Sequence, residues 1–181
     1  MQINIPTYIT FFRIALIPFF VLTFYLPFTW AKLATILIFS LAAITDWMDG
    51  FLARYLKQIT HFGTLFDPVA DKIIVTITFF LIVEHFHSLF VTIPSAIILI
   101  REIIVSALRE WMADVGKRKV IAVFWMSKIK TFIQMLSLII LLARPNNFDI
   151  MFSVGIFFLY ISAFITVFSM CIYLKTTFRH L

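Results

Sequence analysis

Four aspartates, Asp46, Asp49, Asp67 and Asp71, carry the chemistry that this chain can do. The stretch DWMDGFLARYLKQITHFGTLFDPVAD, residues 46–71, holds four of the six aspartates and two of the four glycines, Gly50 and Gly63. Asp46, Asp49, Gly50 and Ala53 are spaced i, i+3, i+4 and i+7, which in a helix sets them on one face. That face offers two carboxylates, then two small residues that leave room for a ligand beside the backbone, with Arg54 one position on. Asp67 and Asp71, at i and i+4, share a face of the next helix, and the short connection around Gly63 lets the two faces meet. Four hard oxygen ligands suit Mg²⁺, Mn²⁺ or Ca²⁺ rather than zinc, because neither cysteine nor clustered histidine takes part. Two divalent cations would nearly balance the four negative charges and would draw in an anionic phosphate.

The segments that must position this cluster are oily. Of 181 residues, 62% are hydrophobic and 13% charged, and the mean hydropathy is +1.05. Soluble domains are roughly 45–50% apolar, so lipid is the solvent that fits. An ionised carboxylate at bilayer depth costs roughly 2.5–3.5 kcal/mol on insertion scales, so four together require cations, a water-filled cavity, or both. Six apolar segments stand out, at roughly 7–27, 31–56, 67–86, 89–111, 120–143 and 150–174, each about the twenty residues that span the hydrocarbon as a helix. None alternates with period two, which excludes strands. Breaks are expected at Leu26-Pro27, around Gly63, at His85 to Ser88, at Gly116 and at Arg144 to Asn147.

Charge sets the topology. When consecutive helices alternate in direction, thirteen of the fifteen lysines and arginines fall on one side, leaving Lys32 and Arg144 on the other. The positive-inside rule makes the rich side cytoplasmic. The expectation is an all-α integral membrane protein with six transmembrane helices, N- and C-termini cytoplasmic, residues 1–181 forming one domain in a bacterial inner membrane. The net charge of +6 points to an anionic membrane face or phosphorylated substrate, not to nucleic acid, for which no soluble basic module exists. The 23 phenylalanines read as lipid-facing or packing residues. Cys171, the single cysteine, reads as a small buried hydrophobe. With no basic n-region before it, the first apolar segment is expected to be retained. Asn4, Pro6, Thr7, Thr10 and Arg13 cap or lead into that segment, or contribute to the charged cavity, and Pro18 predicts a kink within it.

Plainer readings exist for the aspartates singly. Asp67 before Pro68 has the form of a helix N-cap with proline at the first helical position, Asp71–Lys72 of a rim ion pair, and Asp49-Gly50 of a turn. None explains four aspartates crowded together in so apolar a chain. A cation- or proton-coupled transporter also clusters acids, but near mid-membrane and often with repeated halves. An intramembrane prenyltransferase would carry a second aspartate motif, and none follows Asp71.

The pattern Asp46-x2-Asp49-Gly50-x2-Ala53-Arg54-x8-Gly63-x3-Asp67-x3-Asp71 resembles the signature of the CDP-alcohol phosphotransferases at every fixed position. The likeness extends to Asn4-Ile5-Pro6-Thr7, to Phe66 through Lys72, to Arg101-Glu102 through Arg109-Glu110-Trp111, and to Ser127 through Thr131. In these it is similar to the branch whose acceptor is glycerol 3-phosphate. The resemblance covers most of residues 1–135, and the last segment adds only hydrophobicity and length. It implies a six-helix membrane enzyme, usually a homodimer, with two Mg²⁺ (or Mn²⁺) ions at a site open to the cytoplasm. Asp46, Asp49, Asp67 and Asp71 would be metal ligands and Asp71 also the general base. Asp49, Gly50, Ala53, Arg54 and Gly63 would form the nucleotide pocket for CDP-diacylglycerol.

The acceptor is read from the remaining cations. Arg101, Arg109, Lys128 and Lys130, with the loop Lys117 to Lys119, exceed what a diphosphate requires; the loop reads as a solvated topology signal, and a phosphorylated acceptor would use several of the others. Glycerol 3-phosphate is therefore expected, and inositol phosphate fits the charge equally well. Lys128 and Lys130 point to opposite sides of a helix, so one of them faces any given pocket. Glu102 and Arg109, seven apart, are positioned to pair. His61, His85, His87 and His180 read as interfacial or solvated.

Overall fold

The computed structural model describes the backbone of residues 5–56, 61–114, 125–144 and 149–179, and the side chains of 11–45, 72–108, 110–112, 129–144 and 149–175. Among the described residues there are six helices and no strand: α1 (Ile5–Tyr25), α2 (Thr29–Leu56), α3 (His61–Phe86), α4 (Leu89–Asp114), α5 (Trp125–Leu142) and α6 (Ile150–Arg179). Helices satisfy their own backbone groups, the condition for apolar segments in lipid. The hydroxyls follow suit. Thr35, Thr78 and Ser95 each donate to the carbonyl four residues back at 2.7 Å, so these buried groups cost little.

The distribution of side chains is that of a protein dissolved in lipid. On α2 the exposed stripe is Leu33, Leu37, Leu41 and Ile44, while the buried one is Ala31, Thr35, Phe39 and Ala42. On α6 the exposed stripe includes Phe157, Tyr160, Phe164 and Phe168, whereas Ser162, Ala163, Thr166 and Ser169 are buried. Water would drive the opposite arrangement; lipid gains nothing by hiding phenylalanine and lets small and hydroxylated residues bring helices together. Segments Leu89–Met112 and Ile150–Lys175 are long and apolar enough to cross a bilayer, and Phe11–Tyr25, Thr29–Thr45 and Ile129–Leu142 are shorter apolar helices. The chain is a helical membrane protein.

Two compact units are distinguished, residues 1–82 with 142–144, and residues 83–141 with 145–181. In the first, α1 packs on α2 through Phe20 and Phe39, both buried, with ring centroids 6.1 Å apart. Arg144, at φ 51°, donates from Nη1 to the Phe24 carbonyl at 2.8 Å and lies over the Phe24 ring. It thereby caps the orphan end of α1, and burial lowers its pKa from the usual arginine value. In the second unit α4 packs on α6. There Ser137 of α5 donates to the Gly155 carbonyl of α6 at 2.8 Å, and Phe86 meets Phe152 at 4.8 Å. The turn from α3 to α4 is made by His87 at φ 45°, and Ser88 opens α4 by accepting from the Val91 and Thr92 amides.

Several expectations change. The third helix starts at His61, not at residue 67, so Gly63 and Pro68 lie inside it and Asp67 is not its N-cap. The missing Pro68 amide leaves a carbonyl one turn back without its helical donor, which membrane helices tolerate. Cys171 is exposed, not buried, because α6 turns Ser169 and Tyr173 inward and residue 171 falls on the opposite side. The break expected at Gly116 lies outside the described residues.

Candidate active site

The aspartates are placed by helix register. Asp46, Asp49, Gly50, Ala53 and Arg54 all lie within α2, so the spacing of 46, 49, 50 and 53 is the spacing of one helical face. Moreover, positions 46, 49 and 53 continue the register of the buried stripe Ala31, Thr35, Phe39 and Ala42. Asp67 and Asp71 lie within α3 and continue the register of buried Ile74 and Thr78 in the same way. By register alone, the four positions extend the stripes that are buried in the described parts of α2 and α3. Carboxylates are hard oxygen donors, the kind that take divalent cations. The side chains of Asp46, Asp49, Gly50, Ala53, Arg54, Gly63, Asp67 and Asp71 lie outside the described ones, as do those of Arg109 and Lys128. Among the described residues no three acids, histidines or cysteines are grouped to hold a metal.

The cations expected to hold the acceptor are seen in part. Arg101 on α4 is 4% exposed and Lys130 on α5 is 1% exposed. Both donate to the same oxygen, Oε1 of Glu102: Lys130 through Nζ, and Arg101 through Nη1 at 3.4 Å. The structure therefore joins these two candidates through a carboxylate that the sequence had suggested as a partner for Arg109. Lys130 is the member of the 128/130 pair that is seen to turn inward. Arg101 also donates from Nη2 to the Ser169 hydroxyl at 2.8 Å, and its guanidinium lies 5.9 Å from the centre of the Tyr173 ring. Cations so deeply buried in an apolar bundle are expensive and mark function by default.

Sequence reasoning missed Ser169 and Tyr173. A signal was present in the hydroxylated stripe Ser162, Thr166, Ser169 and Tyr173, at i, i+4, i+7 and i+11 of an otherwise apolar helix. Arg13 of α1, 1% exposed, is a further buried cation, whose deep placement the sequence left as one of two alternatives.

The family model of the CDP-alcohol phosphatidyltransferases matches residues 3–171, and the chain belongs to that family. It is similar to the CDP-diacylglycerol–glycerol-3-phosphate 3-phosphatidyltransferase of Sodalis glossinidius, 58% identical over 180 residues, 99% of this chain and 97% of that one. The proteins of the same name from Pectobacterium atrosepticum and Salmonella typhimurium are each 55% identical, with 99% and 97% of this chain and 97% and 95% of theirs covered.

Proposed function

We propose that this chain transfers the phosphatidyl group of CDP-diacylglycerol to glycerol 3-phosphate, releasing CMP. The observation that carries the reading is the near full-length identity, 58% and 55%, to proteins named for that reaction. The buried cations Arg101 and Lys130, joined through half-exposed Glu102 and suited to a phosphorylated acceptor, support it. The whole chain acts as one catalytic domain of six spans in the bacterial cytoplasmic membrane, both termini and the site facing the cytoplasm, and works as a homodimer.

In this reading Asp46, Asp49, Asp67 and Asp71 would hold two divalent cations, Mg²⁺ or Mn²⁺, whose chemistry when bound would be to neutralise the diphosphate and make CMP a better leaving group. Asp49, Gly50, Ala53, Arg54 and Gly63 line the nucleotide pocket, the small residues admitting cytidine and Arg54 facing phosphate. Arg101, Arg109, Lys128 and Lys130 bind the phosphate of the acceptor and orient its hydroxyl. That oxygen bonds to the phosphatidyl phosphorus as the bond from phosphorus to the CMP oxygen breaks. Asp71 takes the hydroxyl proton, and CMP leaves with the electron pair of the broken bond. The lipid tails stay in the bilayer throughout.

The test is a panel of acceptors with purified protein and CDP-diacylglycerol. Glycerol 3-phosphate should release CMP stoichiometrically with phosphatidylglycerophosphate, while serine and unphosphorylated inositol should not. CMP release with inositol phosphate and none with glycerol 3-phosphate would reject the assignment.

A further inference from the structure

We infer that the last helix, α6, takes part in acceptor binding: Ser169 and Tyr173 are positioning residues that fix the guanidinium of Arg101. The inference rests on the reading of Arg101 as a ligand of the acceptor phosphate, and adds to it two residues from a helix with no other assigned role.

The hydrogen bonds give Ser169 a defined direction. Its hydroxyl donates to the Thr166 carbonyl at 2.9 Å, one turn back in α6, so the proton is committed and a lone pair is left for Arg101. Nη2 of Arg101 donates into it at 2.8 Å. Ser169 is 3% exposed and Arg101 4%, so this bond is shielded from competition by solvent, and bonds to a charged donor are the strong class. Tyr173, 7% exposed and one turn further on, lies close enough for its ring face to attract the cation. On the opposite flank Nη1 reaches Glu102. A guanidinium is planar, so anchoring Nη2 on Ser169 and Nη1 on Glu102, with the Tyr173 ring nearby, fixes its plane as well as its position. A planar fork held this way meets a phosphate at lower entropic cost than a mobile one. The charge of Arg101 does not depend on Ser169. What Ser169 controls is orientation, so its loss should weaken acceptor binding without affecting the nucleotide lipid.

The experiment compares Ser169→Ala, Ser169→Thr, Tyr173→Phe and Tyr173→Leu with Arg101→Gln in the full-length protein in detergent micelles. KM is measured separately for glycerol 3-phosphate and CDP-diacylglycerol, alongside melting temperature. Ser169→Ala should raise the acceptor KM about tenfold, equivalent to about 1.4 kcal/mol, with the CDP-diacylglycerol KM unchanged. Ser169→Thr should restore it by supplying the hydroxyl. Tyr173→Phe keeps the ring and should stay near the parent value, whereas Tyr173→Leu should also raise the acceptor KM. If Ser169→Ala leaves the acceptor KM unchanged, or lowers kcat and melting temperature with both KM values moving together, the inference is overturned and Ser169 merely supports the fold. Should Ser169→Ala fail to fold, the two Tyr173 variants decide by the same split in KM. Arg101→Gln tests the underlying reading by itself: an acceptor KM indifferent to it removes Arg101 from that site, whatever Ser169 does.

Discussion

At the scale of single residues, charge in an apolar medium is the informative feature. Asp46, Asp49, Asp67 and Asp71 stand out in the sequence because nothing structural requires four carboxylates in so oily a stretch. The start of α3 at His61 removes the plainest alternative for Asp67, that of a helix cap. Asp71→Asn keeps size and polarity but removes the negative charge and the basic oxygen. It should abolish turnover, by at least about two orders of magnitude for a lost general base, while the protein stays inserted with an unchanged helical circular-dichroism spectrum. Retained turnover would take Asp71 out of that role. Glu102 shows what residue counting cannot supply: its described partners include its neighbour Arg101 and Lys130, 28 residues away, while the side chain of Arg109, seven residues on, lies outside the described ones.

At the scale of elements, α6 changed most in meaning. Its sequence shows length and hydrophobicity; its packing shows a polar inner face that reaches Arg101 on α4 and, near its start, a close approach to α5. A Cβ built on Gly155 would stand 2.9 Å from Leu141 Cδ2, 3.0 Å from Leu141 Cγ and 3.1 Å from Ile140 Cγ2. The Gly155 carbonyl meanwhile receives the Ser137 hydroxyl. Gly155→Val should therefore overpack this contact and destabilise by about 1–3 kcal/mol, read as a lowered melting temperature in detergent. Gly155→Ala should cost less, because the end of the Leu141 side chain can shift. A valine variant as stable as the parent would show that the two helices are not packed here as described.

At the scale of the whole molecule, the argument is one of solvent. Outward phenylalanines and inward serines on α6, with outward leucines and an inward threonine on α2, match lipid on the outside. The asymmetry of lysine and arginine is the ground for the proposed orientation. Cysteines introduced in a Cys171→Ser background test this in intact cells, the exposed native thiol having been removed. Lys32→Cys, on the arginine- and lysine-poor side, should react with a membrane-impermeant maleimide once the outer barrier is opened. Lys175→Cys should react only after the inner membrane is breached, and the reverse pattern would invert the proposed topology.

By itself the sequence determined the helical class, the breaks at Leu26-Pro27 and His85 to Ser88, and the spacing of the aspartates. These follow from local terms, apolar run length, turn chemistry and the 3.6-residue period, that hold wherever a segment packs. It could not determine that α3 begins six residues before Asp67, that Cys171 faces outward, or that Ser169 and Tyr173 meet Arg101. Those depend on how each helix is rotated about its axis and on which neighbour it meets. In a chain this uniformly apolar, the hydrophobic pattern carries little information about rotation, and contacts 68 residues apart along the chain arise only when α4 and α6 are packed together.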